Sequence, residues 1–435
     1  MARIPLPLDR LTLRIESLDS EGRGVARNPD GKVVFVEGAL PGEAVSFQVL
    51  KKKLSHEFAR ATSILHESPS RIEPRCPHFG VCGGCVTQHA DTRTQMAAKQ
   101  RWLEENLARI GKVQAETMLP IIHGQEWGYR NRARLSVRRV PKKGGVMVGF
   151  RERRSTYVAQ MDECHVLPLN VSALIPHLKV LIESLSINER VPQIEVAVGD
   201  VAIAFVFRHL LPLTGDDLEA LKNFGKTFQV HIWLQPAGPD SAHPLHPAGS
   251  ALYYELPEFG VRIAFRPTEF TQVNFAVNRV LVSRAIRLLD PQPGERIADL
   301  FCGLGNFSLP LAARGARVIG FEGSAGLIDR ARANAIGNGL TVQFEVADLF
   351  KSSINAFGPF GKLLVDPPRE GAVELMKALP DAWPQRIVYV SCDPATLARD
   401  AGILVNTKGF RLSAAGVVNM FPHTAHVESI ALFER

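Results

Sequence analysis

Between residues 10 and 65 apolar and polar residues alternate through four short runs, "LTLRIESL", "GKVVFVEG", "EAVSFQVL" and "FARATSIL", separated by turn residues such as "NPDGK" and "LPGE". A period of two predicts strands buried on one face, and short strands of this kind predict a small barrel of the five-stranded OB-like type. The period then changes. "TRTQMAAKQRWLEENLARIG" has apolar residues at helical spacing with Gly111 as a stop. "PQIEVAVGDVAIAFVF" reads as a hairpin turning at Gly199 and Asp200. From about residue 285 strand, loop and helix alternate, through "GERIADL", "ARVIGFEGS", "VQFEVADLF", "KLLVDPPRE" and "RIVYVSCDP". This rhythm predicts an α/β fold with a doubly wound parallel sheet, in which ligands sit beyond the carboxyl ends of the strands. The expected organisation is a barrel over 1–68, a central α+β domain over 69–265 and a Rossmann-like domain over 266–435.

With 435 residues, 46% of them hydrophobic and 22% charged, the chain has the composition of a globular protein of several domains. Its opening lacks the basic start and apolar run of a signal peptide, and no apolar stretch approaches the ~18 residues of a membrane span. A cytoplasmic protein is expected, in which six cysteines serve as ligands, nucleophiles or buried side chains rather than bridges. The net charge of +7 is concentrated. Residues 130–160 hold ten Lys or Arg against the single acid Glu152, so that segment is +9 and the remainder of the chain −2. A basic patch of this kind suits phosphate contacts, although basic surface strands also occur without a partner.

Two clusters carry candidate chemistry. In "DLFCGLGNFS" the glycines Gly303 and Gly305 follow a strand and open a helix, which lets the backbone approach a ligand. Glu322 ends the next strand, where an acid can bind a ribose diol, and Asp348 ends the third, where it can accept from an adenine amino group. With no third glycine and no Gly-Lys-Ser/Thr, a nucleoside without phosphates is favoured, namely S-adenosylmethionine. Alternatively these acids only cap helices. Further on, "LLVDPPREG" and "VYVSCDPATL" place proline and polar residues at strand ends. Cys392 there is a candidate nucleophile, and "FPHTAHVESIALFE" supplies His426 and Glu428 ahead of the final strand, the latter a candidate base.

Together "DLFCGLGNFS", "VDPPREG", "YVSCDPATLARD" and "FPHTAHVES" resemble the RNA (uracil-C5)-methyltransferase family across the C-terminal half, which implies a class I methyltransferase fold there. The amino-terminal barrel resembles a TRAM domain. The resemblance implies that Cys392 adds to carbon 6 of uracil and that Glu428 removes the carbon-5 proton. It implies that Asp366 touches cofactor and base, and that Gln272, Phe301, Asn306, Glu322 and Asp348 contact the cofactor. Pro368 and Arg369 stand where 5-methylcytosine enzymes carry a cysteine, so uracil is the expected target. The transfer-RNA branch is expected to lack barrel and cysteine cluster, so the resemblance points to the branch acting on 23S ribosomal RNA, as a monomer and away from membranes. A non-catalytic RNA-binding factor on the same fold is the alternative, with transfer RNA as the alternative substrate.

"CPHFGVCGGC" contributes Cys76, Cys82 and Cys85, and Cys164 in "MDECHVLP" is the remaining cysteine available as a fourth ligand. This C-x5-C-x2-C spacing with a distant fourth suits a [4Fe-4S] cluster, which the resemblance also implies. A four-cysteine zinc site has the same ligand count, and His78 or His89 could replace a cysteine in it.

Overall fold

The computed structural model describes residues 12–351 and 357–435. Residues 1–11, which include Leu11 of the first expected strand and the start of the segment read for a signal peptide, lie outside them. Among the described residues no helix is long and apolar enough to cross a membrane. The chain divides into two units, one running to Trp102 and including Phe421–His426, the other holding the rest.

The first unit is built on β1 (Thr12–Arg14), β2 (Ser17–Leu18), β3 (Gly24–Arg27), β4 (Val33–Glu37), β5 (Ala44–Lys52) and β6 (His56–His66), in sheet order β1-β5-β6-β4-β3-β2. The two edges are consecutive pieces of one chain segment. Between them Ile15 N–H donates to Glu43 O at 2.9 Å and Glu16 N–H to Val25 O at 2.8 Å, so the sheet closes on itself as a five-element barrel. The alternating pattern did not reveal β3, a four-residue strand preceded closely by glycines. Leu13, Ile15, Ala26, Val34, Val36, Val45 and Ala59 fill the interior.

One ionic cluster locks the barrel to the chain that leaves it. Glu43, fully buried, accepts from Leu40 N–H at 2.7 Å and from Arg71 Nε and Nη2 at 2.5 and 2.7 Å. Burial opposes ionisation of this carboxyl, but the Arg71 and backbone hydrogen bonds outweigh it and hold the group below its ordinary range.

In the second unit come β7 (Thr117–Met118), β8 (Arg132–Val140), β9 (Gly145–Gly149), β10 (Gln193–Val198), β11 (Ile203–Arg208), β12 (His231–Gln235) and β13 (His243–His246). Six of these form a mixed sheet ordered β13-β12-β11-β10-β8-β9. The expected hairpin is β10–β11, pairing Val198 with Ile203 around Gly199 and Asp200. A second hairpin, β14 (Leu252–Leu256) with β15 (Val261–Phe265), leads to the helix Phe275–Leu289.

The remaining strands are β16 (Arg296–Leu300), β17 (Arg317–Glu322), β18 (Gln343–Val346), β19 (Lys362–Val365), β20 (Arg386–Ser391), β21 (Arg411–Val418) and β22 (Glu428–Glu434). With β7 they make an eight-stranded sheet ordered β18-β17-β16-β19-β20-β22-β21-β7. Its first five strands are parallel, and β22 runs antiparallel to β20. The continuous apolar runs of these strands are what a sheet buried on both faces requires.

Replacing Glu43 with Gln should destabilise the barrel by about 3 kcal/mol, because Arg71 is left without its charge partner. Since the folded pKa lies below the unfolded one, the wild-type contribution is present above about pH 4.5 and lost as pH falls through the folded value. Denaturant unfolding of both proteins at neutral and acid pH checks this: the difference should shrink in acid, and a difference independent of pH would refute it.

Candidate active site

The chemically notable residues of the C-terminal stretch leave the sheet at its carboxyl edge. Phe301 follows β16, Glu322 ends β17, Asp348 lies just beyond β18, Asp366 follows β19 and Cys392 follows β20. The strand order reverses direction between β16 and β19, which is where a parallel sheet opens a crevice.

The loop after β16 is bent sharply. Phe301 has φ of 65°, rare for a bulky residue, and Gly303 and Gly305 follow at 53° and 92°. A Cβ at Gly303 would meet nothing within 4 Å, so the space above it is open to a ligand. Gly303 N–H donates to Glu322 Oε2 at 3.3 Å and Ser324 N–H to Oε1 at 3.1 Å, which fixes the carboxylate beside the loop. Asn306 Oδ1 accepts from Tyr254 Oη and Asn278 Nδ2, both at 2.9 Å, and its Nδ2 donates to Asn278 Oδ1 at 3.1 Å. Sequence reading missed Tyr254 and Asn278, which only the fold brings to Asn306.

Gln272 is buried, two residues before Asn274, whose Oδ1 caps the following helix by accepting from Val277 N–H at 3.1 Å. Asp348 is exposed and paired with Lys351 at 3.2 Å. The Phe350 ring, 5.6 Å from that of Phe301, lies beside it in the chain. Three buried polar atoms here, Asp299 Oδ1, Thr271 Oγ1 and Asn274 Nδ2, have no hydrogen-bond partner. Open glycine backbone, an anchored acid and unsatisfied polar atoms fit a polar ligand.

On the other side of the crevice the register of β20 and β22 pairs Ser391 with Ser429, and Ser429 Oγ donates to Ser391 O at 3.2 Å. Cys392 and Glu428 are the next residues outward on these neighbouring strands, so they leave the sheet side by side. Glu428 opens the final strand rather than preceding it, and His426, expected with it, belongs to the first unit. Beyond Cys392, Asp393 caps the helix Pro394–Asn406, its Oδ1 accepting from Ala395 N–H at 2.8 Å. The backbone around the thiol is therefore fixed on both sides.

The loop Asp366–Gly371 is fixed in turn by a residue that sequence reading left without a role. Buried Asp400 accepts from Ala372 N–H and Tyr389 Oη, both at 2.7 Å, and from Arg399 Nε at 2.9 Å. Arg399 Nη2 donates to Glu370 O at 2.8 Å. Gly371 has φ of 73°, and a Cβ there would come within 2.6 Å of Arg399 Nη2 and 2.8 Å of Asp400 Oδ2.

Burial, with crowding of acids added to it, sets the protonation of the site. Burial pushes the carboxyls of Asp366 and Asp299 up to about 7, and for Asp299 the Asp366 and Glu322 carboxylates add to the rise. Burial, followed by Asp366, lifts Glu428 well above the usual carboxylate range. The Cys392 thiol is pushed up to about 11 by burial, then by Glu428 and Asp366, with the Arg369 guanidinium pulling the other way. Cys302 is buried and its thiol also raised, in keeping with a packed side chain.

The basic segment is partly neutralised by acids from elsewhere in the chain. Glu195 on β10 lies 3.8 Å from Arg132 and 3.1 Å from Arg134, and Arg139 pairs with Glu183 and Glu189 at 2.8 and 3.4 Å. Arg138, Lys142, Lys143 and Arg151 remain exposed.

Cys76, Cys82 and Cys85 belong to the first unit and Cys164 to the second. Gly84 N–H donates to Cys82 Sγ at 3.4 Å. Among the described residues no group of three or more His, Cys, Asp or Glu is arranged to hold a metal ion.

Residues 91–435 match the family described as tRNA (Uracil-5-)-methyltransferase, and residues 9–62 match the TRAM domain. The chain is 59% identical over 431 residues to the 23S rRNA (uracil(1939)-C(5))-methyltransferase RlmD of Azoarcus sp., covering 98% of this chain and 99% of that one. It is 60% identical over 427 residues to the protein of the same description from Thiobacillus denitrificans, covering 97% and 99%. Its fold is similar to that of the Pyrococcus abyssi tRNA (uracil-54, C5)-methyltransferase in complex with S-adenosyl-L-homocysteine, with TM-score 0.76, 26% identity and coverage of 98% and 99%. That match corrects one expectation. An enzyme described as acting on transfer RNA shares this fold almost end to end, so the barrel alone does not separate the two branches.

Alkylation of Cys392, followed on its own peptide by mass spectrometry, should be slow at neutral pH and track an ionisation near 11. Glu428→Gln and Asp366→Asn should each move that midpoint down and Arg369→Gln should move it up. Unmoved midpoints in all three would show that these charges do not govern the thiol.

Proposed function

The chain belongs to the tRNA (uracil-5-)-methyltransferase family, and we propose that it methylates carbon 5 of a uridine in 23S ribosomal RNA, with Cys392 as nucleophile and Glu428 as base. The observation that carries this reading is the side-by-side exit of Cys392 and Glu428 from paired strands, at the edge that also presents Phe301, Glu322 and Asp366. The 23S assignment is supported by relatives near 60% identity over almost the whole chain that carry that description. The enzyme works as a cytoplasmic monomer on this reading.

S-adenosylmethionine would be held by Glu322 at its ribose, by Asp348 and Phe301 around its adenine, and by Gln272, Asn306 and Asp366; when bound it supplies an electrophilic methyl group. The other steps belong to the chain's own residues. Carbon 5 of uracil is a weak nucleophile, so Cys392, after giving its proton to solvent water, adds to carbon 6 and places electron density on carbon 5. Once carbon 5 carries the methyl group it also still carries its proton. Glu428 removes that proton, the carbon 5–carbon 6 double bond re-forms, and the bond from carbon 6 to sulfur breaks to return the thiolate. Burial raises the proton affinity of Glu428, so once ionised in the loaded site it is the stronger base for this step. A site retired from catalysis has no need of this pair, which argues against a purely RNA-binding role. Transfer RNA is the second reading, favoured by the full-length likeness to the Pyrococcus abyssi enzyme; methylating each RNA from cells lacking the modification separates the two.

The reading includes a [4Fe-4S] cluster on Cys76, Cys82, Cys85 and Cys164. The cysteine count and the C-x5-C-x2-C spacing support it. Protein purified without oxygen should be brown, contain iron and sulfide, and lose both with Cys164→Ser as fully as with Cys82→Ser. Stoichiometric zinc without iron would overturn the assignment.

The catalytic roles separate by timing. Glu428→Gln keeps the nucleophile and removes the base, so methylated RNA should remain attached to the enzyme through denaturing electrophoresis, whereas Cys392→Ala should bind RNA and form no adduct. Turnover by Glu428→Gln at the wild-type rate with no adduct would reassign the base, first to His426; methylation by Cys392→Ala would end the covalent mechanism.

A further inference from the structure

The helix Ala325–Gly337, which follows β17, carries Arg330 and Asn334, and Asn338 stands just past its end. Residues four apart share one helix face. Asn338 accepts from Arg262 N–H at 2.8 Å and donates to Arg262 O at 2.7 Å. One turn earlier, buried Asn334 treats Ala264 the same way, accepting from its N–H at 3.0 Å and donating to its O at 3.1 Å. Alternate residues of a strand turn their N–H and C=O to the same edge, so the two amides stand in for a third strand beside β15. A hairpin of only two strands needs such support. Arg330 Nε, a further turn back, donates to Glu269 Oε1 at 3.4 Å, and Glu269 Oε2 accepts from Arg266 N–H at 2.7 Å, in the segment that leads to Gln272.

Edge pairing accounts for two of the bonds made by Asn334. Its other amide hydrogen goes to the glycine loop, where Nδ2 donates to Leu304 O at 3.1 Å. From β14, Tyr254 Oη donates to Asn306 Oδ1 at 2.9 Å, and the stacking of the Tyr254 ring on Phe275, 4.6 Å apart at 26°, holds that hydroxyl in place. Leu304 and Asn306 flank Gly305, whose φ is 92°. The hairpin therefore grips the loop on both sides of its bend. With Tyr254 and Asn278 on its Oδ1 and one Nδ2 hydrogen given to Asn278, Asn306 keeps a single Nδ2 hydrogen for a ligand.

Support of the hairpin edge alone would ask as much of Asn338 as of Asn334, yet Asn334 also reaches the loop. We propose that Asn334 and Tyr254 are positioning residues for S-adenosylmethionine, holding the Gly303–Asn306 loop in register with the hairpin that leads on to Gln272. The proposal rests on the reading of this loop as the cofactor site, and it assigns residues that act through Leu304 and Asn306 rather than on the reacting atoms.

The test uses the full chain and compares Asn334→Ala, Tyr254→Phe and Asn338→Ala for S-adenosylmethionine affinity by calorimetry, for melting temperature, and for KM and kcat with a 23S RNA fragment. Asn334→Ala and Asn338→Ala should lower the melting temperature by similar amounts, since each removes one edge pair. Asn334→Ala and Tyr254→Phe should weaken S-adenosylmethionine about tenfold each, with the loss falling on KM for the cofactor rather than on kcat or on KM for RNA. Asn338→Ala should bind the cofactor as wild type does. Tyr254→Phe keeps the ring stack and decides the matter if Asn334→Ala does not fold. Wild-type cofactor affinity in folded Tyr254→Phe and Asn334→Ala would overturn the proposal. So would equal loss of affinity in Asn338→Ala and Asn334→Ala, since the amides would then act only through the stability of the hairpin. Failure of the wild-type chain to methylate uridine while these affinity differences persist would count against the proposed function and leave the positioning role standing.

Discussion

Burial of acids at one sheet edge, with repulsion from neighbouring carboxylates adding to it for Asp299 and Glu428, sets the resting protonation of this enzyme. Asp299, Asp366 and Glu428 all hold their protons more tightly than free carboxylates do, and the Cys392 thiol is suppressed with them. The sign of the consequence follows directly. For an acid whose folded pKa is raised, the folded state binds more protons than the unfolded chain, so stability falls as pH climbs from about 4 to about 7, where Asp299 and Asp366 titrate. A cationic ligand in the crevice offsets that cost by favouring the ionised carboxylates. The site is thus built to receive positive charge, and a sulfonium brings it. Burial, with Glu428 and Asp366 beside it, likewise keeps the Cys392 thiol neutral at rest.

Such a site needs rigid support, because small displacements of reacting groups cost large factors in rate. The protein supplies it through the backbone on either side of Cys392, Glu428 and Asp366. Ser391 and Ser429 tie the two strand ends, Asp393 caps the helix that follows Cys392, and Asp400 with Arg399 clamps the loop that starts at Asp366. Gly371 is confined to glycine by its positive φ and by the approach of that clamp. Asn278 and Tyr254 do for Asn306 what Asp400 does for the neighbouring loop.

The parallel sheet and the strand-end positions of Phe301, Glu322, Asp366 and Cys392 were legible in the sequence, because a sheet covered on both faces writes itself as apolar runs and its functional residues come at their ends. What escaped reading depends on contacts distant in the chain. β3 is too short to show a period and is held by pairing with β2 and β4. The basic segment looked like +9, yet Glu183, Glu189 and Glu195, tens of residues away, return part of that charge. Asp400 looked like one more polar residue of a helix until the fold set it beneath the Asp366 loop. The choice between ribosomal and transfer RNA was not legible in domain content, since an enzyme described as acting on transfer RNA has the same chain-long architecture.

The covalent route through Cys392 is tested most directly with a 23S RNA fragment carrying 5-fluorouridine at the target, where no carbon-5 proton can leave. In the presence of S-adenosylmethionine the wild-type enzyme should stall, and mass spectrometry of the digested complex should find a fluorouracil bearing one added methyl group attached to the peptide that contains Cys392. Complete turnover without a linked peptide, or linkage at a residue other than Cys392, would contradict the account.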